Sequence, residues 1–180
     1  MVETENLVLR QAVFDDWKSL YINLWCHKES AKYMLWRPLD SEQQSRERII
    51  KVIEYQKKNP HQYIVCEKSS GQAIGFAGMT KRREGVYEDI GIAIGPAFVR
   101  RGYGKQILMG LMQVAFEQLD AKRFVSSCRN ENLASRMLLR ACGFTYSHSE
   151  ERVDSRTEQL YQLEFYDFLQ PSLVKNYHLC

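Results

Sequence analysis

Several features are missing from this 180-residue chain, and each absence excludes a class of protein. No apolar run is long enough to cross a bilayer, so no membrane span is expected. The opening Met1-Val-Glu-Thr-Glu-Asn-Leu7 has neither the positive charge nor the apolar stretch of a secretory leader. Net charge is only +3, with no basic run and no aromatic RNA-binding signature, so a nucleic-acid partner is not expected. The five cysteines, Cys26, Cys66, Cys128, Cys142 and Cys180, are odd in number and form neither a Cys-x-x-Cys pair nor a zinc-like spacing. Reduced thiols and a cytoplasmic location fit that pattern better than a disulfide framework, and no metal site is expected. His27, His61, His148 and His178 form no constellation. No linker and no repeat divides the chain, which reads as one domain over 1–170 followed by a tail at 171–180.

What remains is a 44% hydrophobic chain in which strand and helix patterns interleave, enough for one core. Leu7 to Arg10 alternates as a strand, and Asp15 and Asp16 offer N-cap chemistry to a helix running from Trp17 to Trp25. Ser41 and Gln44 resemble a capping box at the start of a second helix, which ends at Asn59-Pro60. Gln62 to Glu67 and Ala73 to Met79 read as a hairpin, Lys81 to Gly85 as a charged turn, and Val86 to Ile94 as the next strand. A long helix from near Tyr103 carries Ile107, Leu108, Leu111, Met112, Ala115, Phe116 and Leu119 as one apolar stripe. Phe124 to Cys128 is a strand, and a short helix follows Asn130-Glu-Asn132 to about Cys142, with Gly143 as its left-handed cap. Phe144 to Arg152 and Thr157 to Phe165 read as a closing hairpin turning at Asp154-Ser155. The fold class is therefore α/β, with a mixed sheet.

The densest segment is Asp89 to Leu108, a strand, a Gly/Arg-rich turn and a helix start. Free backbone N–H groups and the helix dipole make such a turn an anion site, here with Arg100, Arg101 and Lys105 beside it. A Walker loop is excluded because Gln106 follows Lys105 where Ser or Thr belongs. A dinucleotide fingerprint is excluded because the turn has only two glycines, and the next strand ends at Cys128-Arg129 instead of an acidic residue.

Pro96-Ala-Phe-Val-Arg-Arg-Gly-Tyr-Gly104 resembles the acyl-CoA pyrophosphate loop of the GNAT family of N-acetyltransferases, with Val99 departing from the family's Arg/Gln. Asn130 to Phe144 is similar to the family's second motif, an asparagine followed at fixed spacing by Gly-Phe. Thr4 to Arg10 together with Trp36-Arg-Pro38 resembles the branch that includes the RimJ- and RimL-type ribosomal-protein N-terminal acetyltransferases.

The resemblance implies the GNAT acyl-CoA N-acyltransferase fold: a mostly antiparallel central sheet, splayed between its fourth and fifth strands and flanked by helices. It implies acetyl-CoA as cosubstrate. Its pantetheine arm would lie on the backbone of Ile92, Ala93 and Ile94, and its pyrophosphate in the N–H groups of Arg100, Arg101, Gly102, Tyr103, Gly104 and Lys105. Gly91 or Gly95 would form a bulge at the splay or pack closely. Tyr103 would shield the loop or pack, and Asn132 would bond the cofactor arm, cap its helix, or do both.

A carboxylate on the fourth strand would take the ammonium proton of the acceptor. Family register favours Asp89, with Glu88 adjacent on the opposite side of the strand. The tyrosine that often protonates the departing thiolate is replaced by Leu139, which leaves Ser135 as a hydroxyl for the thiol. Trp17, Trp25, Tyr33 and Trp36 are candidates for the wall of the acceptor cleft. The resulting expectation is acetyl transfer to a primary amine, on a small molecule or a protein N-terminus, in a ternary complex. A non-catalytic acyl-CoA-binding module of the same fold is the alternative, and a homodimer is compatible with either.

Overall fold

The structure, a computed structural model, describes residues 1–170. The tail expected at 171–180 lies outside the described residues. In chain order the strands are β1 (Val2–Glu3), β2 (Leu7–Arg10), β3 (Gln62–Glu67), β4 (Ala73–Arg83), β5 (Val86–Ile94), β6 (Arg123–Arg129), β7 (Thr145–Val153) and β8 (Leu160–Leu169). They form one eight-stranded sheet in the order β1-β2-β3-β4-β5-β6-β8-β7. Every neighbouring pair is antiparallel except β5 and β6, which are parallel.

Helices cover both faces. On one lie α1 (Asp16–Leu20), a π-helical turn over Tyr21–Trp25, α2 (Lys28–Ala31) and α3 (Glu42–Lys58). Trp17, Leu20, Leu24, Trp25 and Ile49 from that layer bury against Ile64, Cys66 and Ala93 of the sheet. The other face carries α4 (Tyr103–Gln118) and α5 (Leu133–Ala141). The α4 stripe of Ile107, Leu108, Leu111, Met112 and Ala115 is buried there with Leu7, Leu9, Val65, Phe124 and Tyr166. Strand alternation and helical period therefore both match the two layers.

Some local expectations change. The first helix stops at Leu20 and widens into the π-helical turn. Asp15 makes no side-chain cap bond; Asp16 instead bonds Arg10 with both oxygens, at 2.7 and 2.8 Å, and accepts the Val13 N–H at 2.9 Å. Ser41 caps α3 by accepting the Gln44 N–H, but the Gln44 side chain reaches back to the Asp40 N–H, one residue beyond the reciprocal bond. Lys81 to Arg83 continue β4, so only Glu84 and Gly85 turn. The closing hairpin is displaced toward the C-terminus, with β8 running to Leu169.

The feature that makes a site is a failure of pairing. β5 and β6 share only Val86↔Arg123, Tyr87↔Phe124 and Glu88↔Val125, and then separate. These are the expected fourth and fifth strands, numbered one higher because Val2–Glu3 precedes them. From Asp89 onward β5 is bonded on its β4 side alone. Between Ala77↔Ile92 and Met79↔Asp89, two steps on β4 match three on β5, which is a bulge. Gly91 sits in it at φ +107°, a conformation that disfavours any side chain. Gly95 is the packing glycine of the pair: a Cβ there would lie 2.0 Å from the Asn23 carbonyl oxygen.

Candidate active site

The split between β5 and β6 opens a cleft of about 850 Å³. Asp89 to Ile94 form one wall and Ser126 to Arg129 the other. The turn before α4, the start of α5, the Tyr33–Trp36 connection and Tyr161 with Leu163 of β8 complete it.

The turn is built for an anion. Arg100 has φ +62° and Gly102 has φ +76°, so left-handed residues are interleaved along the turn, the kind of backbone from which anion nests are made. No side chain caps the start of α4, which leaves its first N–H groups free. A Cβ on Gly102 would meet nothing within 4 Å, whereas one on Gly104 would press on Leu138 at 3.1 Å. Arg100 and Lys105 line the cleft beside these amides.

Arg101 is turned elsewhere. Its Nη1 lies 3.2 Å from Glu67 Oε1, and its guanidinium stacks over Phe98 at 5.2 Å, outside the cleft. Tyr103 Oη donates to the same Glu67 oxygen at 2.7 Å. The bonds from Tyr103 and Ser70 hold the Glu67 carboxyl below its ordinary value. Arg101 and Tyr103 therefore anchor the turn through their side chains, and only their backbone amides remain for a ligand.

Asp89 lines the cleft just past the last β5–β6 pair and is 8% exposed. Its Oδ1 accepts the Gly91 N–H at 2.9 Å. Burial pushes its carboxyl up to about 6, against the opposing hydrogen bonds from Ser126 and Gly91. Glu88 does not line the cleft; its Oε2 pairs with Arg82 Nε at 3.4 Å. The pleat thus resolves the choice of which carboxylate faces the gap in favour of Asp89.

Asn132 caps α5, its Oδ1 accepting the Ser135 N–H at 3.2 Å. Ser135 and Cys128 both line the cleft, and the Ser135 hydroxyl favours the thiolate of Cys128. Burial pushes that thiol up to about 11, so it is a poor nucleophile at neutral pH. Burial likewise raises the Cys142 thiol, which packs in the core. Leu139 is 2% exposed and presents no hydroxyl. His27, His61 and His148 do not line the cleft, and His178 lies outside the described residues.

Of the candidate aromatics, Tyr33 and Trp36 line the cleft, while Trp17 and Trp25 belong to the core behind it. Sequence reasoning missed Ser126, Arg129 and Tyr161. Arg129 lies over the Tyr161 ring at 3.9 Å, and its Nη2 reaches Asp154 Oδ2 at 2.6 Å. Asp154 also accepts Arg156 Nη2 at 2.9 Å. Arg156 Nη1 in turn donates to the carbonyls of Ala31 and Trp36, at 3.1 and 3.3 Å. With Arg156 and Arg129 beside it, the Asp154 carboxyl is held far below its ordinary value. This clamp joins the β7–β8 turn to the connection after α2. Only the two-residue alternation of Tyr161 and Leu163 on β8 hints at it in the sequence.

Among the described residues, no group of three or more His, Cys, Asp or Glu side chains is placed to hold a metal. No helix there is long and apolar enough to cross a membrane.

The model of the acetyltransferase (GNAT) domain matches residues 6–145. No protein of curated function matches the chain. A GCN5-related N-acetyltransferase from Brucella melitensis superposes with a TM-score of 0.82 at 19% identity, covering 98% of this chain and 83% of that one. The microcin C7 self-immunity acetyltransferase MccE, solved with acetyl-CoA and AMP, gives 0.78 at 16% identity over 93% and 94% of the two chains. RimL, the ribosomal L7/L12 α-N-protein acetyltransferase, solved with coenzyme A, gives 0.72 at 20% identity over 92% and 95%. At these identities the likeness is one of fold.

Proposed function

The chain belongs to the acetyltransferase (GNAT) family and is an acetyl-CoA-dependent N-acetyltransferase; we propose that it acetylates a primary amine by direct transfer in a ternary complex, with Asp89 as base. The cleft suits acetyl-CoA on the chain's own geometry: β5 has an open edge beyond Glu88, and the turn before α4 offers uncapped amides with open space over Gly102. Acetyl-CoA supplies a thioester whose sulfur leaves as a thiolate.

The backbone of Ile92, Ala93 and Ile94 holds the pantetheine arm as an added strand. The amides from Arg100 to Lys105, with the Arg100 and Lys105 side chains, hold the pyrophosphate. Asn132 fixes the start of α5 against the arm. The observation that carries the catalytic reading is Asp89: a carboxyl brought to about 6 and facing the cleft is ionised at neutral pH yet basic enough to take an ammonium proton. Ser135 lies where a hydroxyl can donate to the departing sulfur. Positioning both reactants contributes much of the rest, on the order of 7–11 kcal/mol for well-oriented groups.

The high Cys128 value speaks against an acetyl-cysteine route. We also read the chain as one catalytic domain over 1–170, working in the cytoplasm and related to the RimJ/RimL branch, with a protein N-terminus or a small amine as acceptor. Release of the coenzyme A thiol across a panel of amines tests the function. Tight coenzyme A binding with no release for any amine would make the chain a non-catalytic acyl-CoA-binding module, the reading that buried Leu139 favours.

A further inference from the structure

Behind the Trp36–Phe76 pair lies a second cavity of about 260 Å³. It sits between α3 and the sheet and shares Trp36, Phe76 and Ile90 with the main cleft. At that size it is below the roughly 300–1,000 Å³ of a whole small-molecule site, so it accommodates a substituent of something seated in the cleft.

Its surface is mostly apolar, and among the described residues that line it Arg48 alone is charged. Arg48 of α3 enters it between two indoles, 5.4 Å over Trp25 and 5.3 Å over Trp36. Arg48 Nη1 is buried with no hydrogen-bond partner, and so is Trp36 Nε1. The other guanidinium nitrogen, Nη2, has only a long 3.5 Å contact to the Arg37 carbonyl. Among the described residues no carboxylate lies within ion-pair distance of Arg48. Gln56 of α3, which also lines the cavity, spends its Oε1 on the Ala12 N–H at 2.7 Å.

A partly buried guanidinium without a counter-ion loses hydration without compensation, and arginine cannot relieve that by losing its proton. Arg48 and Trp36 both line this cavity, and their groups match a planar anion: the guanidinium fork and the indole N–H are all donors, and carboxylate oxygens accept them. We propose that this cavity is the specificity subsite of the amine acceptor, and that it takes an apolar stem ending in a carboxylate held by Arg48 and Trp36. The amine end then lies in the cleft, near Asp89, whose neighbour Ile90 lines both spaces. This rests on the amine-acetylation reading above. The carboxylate has two sources, a free amino acid with a terminal amine or an acidic side chain near a protein N-terminus.

The test compares matched acceptors with the whole chain: ω-amino acids of graded length against their carboxamides, and short peptides with glutamate or glutamine in second place. The carboxylate member of one series should have the lower KM, by roughly tenfold to hundredfold, as expected for a charged hydrogen-bonded pair. Whichever series shows it identifies the source. Arg48→Met, which keeps the stem in the cavity, should abolish the preference by raising that KM with kcat unchanged, and Arg48→Lys should restore part of it. Equal KM within every pair, or a preference that survives Arg48→Met, overturns the proposal.

A second readout separates this failure from failure of the function. Trp25 and Trp36 report binding by fluorescence. If no amine releases thiol, the same carboxylates should still change that signal in the native chain and not in Arg48→Met, with the carboxamides silent. No such difference overturns the subsite.

Discussion

Asp89 Oδ1 accepts the Gly91 amide at 2.9 Å, across the bulge that parts β5 from its even register. One local distortion thus does two jobs: it marks where the strand edge becomes free, and it holds the carboxylate at that edge. The amide bond lowers the carboxyl against the larger effect of burial, and the balance rests at about 6.

For the wild-type chain, kcat/KM should fall as pH drops through about 6, because the carboxylate takes up a proton and no longer serves as base. In Asp89→Asn that acid limb should vanish and the rate at neutral pH should fall by roughly 10²–10⁴. Coenzyme A affinity should stay the same. A pH–rate profile that keeps the limb in the variant removes Asp89 from the role.

The same substitution should stabilise the fold. The Asp89 carboxyl is raised from 3.8 to about 6, so its contribution is fully favourable below the lower value and is lost as pH rises through the upper. Asn carries no such cost. Melting should therefore show Asp89→Asn more stable at neutral pH by up to about 3 kcal/mol, with the gain fading below about pH 4. Equal melting curves at both pH values would mean that the carboxyl is not desolvated.

Gly102→Asp should weaken coenzyme A binding at least about tenfold, since it adds both a negative charge and a side chain at φ +76°. Gly102→Ala separates these effects. A Cβ there meets no atom, so Ala should cost some stability but leave most of the affinity. Calorimetric titration with coenzyme A reads both, and unchanged affinity in the Asp variant would discard the loop assignment.

Arg156→Gln should loosen the joint between the β7–β8 turn and the carbonyls of Ala31 and Trp36. The expected signature is a severalfold higher KM for the amine with coenzyme A affinity retained, because the clamp lies on the acceptor side. A loss confined to coenzyme A binding would contradict that placement.

Ser135→Ala should lower kcat about tenfold if its hydroxyl serves the leaving sulfur, a small effect typical of one neutral hydrogen bond. Tyr161→Phe is the comparison, as a cleft hydroxyl carried by β8. A larger loss in Tyr161→Phe would transfer the role to the tyrosine.

Much of the fold around the cleft was legible because its signals are local. Glycines, a helix start and an asparagine cap lie within short segments, and Val86 to Ile94 and Tyr103 onward fall where the pattern puts them. That only one of Asp89 and Glu88 can face the gap also followed from the alternation of a strand. What was not legible depends on contacts between distant segments. Arg48 is one charge on an amphipathic helix until α3 is laid against β3 and β4, and only then does its isolation between two tryptophans emerge. Asp154 looks like turn chemistry until β8 inserts beside β6 and brings Arg129 to it. The π-helical turn after Leu20 has no local sign in the residues themselves, and the Asp16–Arg10 pair needs the strand and the helix to meet.

The position of β8, last of the strands among the described residues yet inserted between β6 and β7, sets an order of assembly during synthesis. The anion turn and α4 are finished by residue 118, long before Leu160–Leu169 is made. Until then the outer edge of β6 is unpaired and Arg129 has no Asp154 to meet. A nascent chain that has emerged only as far as α5 therefore has its acceptor half unbuilt and a bare strand edge exposed, the kind of surface that invites pairing between chains. Rapid docking of the final hairpin is then a requirement for recovering folded protein as well as for completing the active cleft.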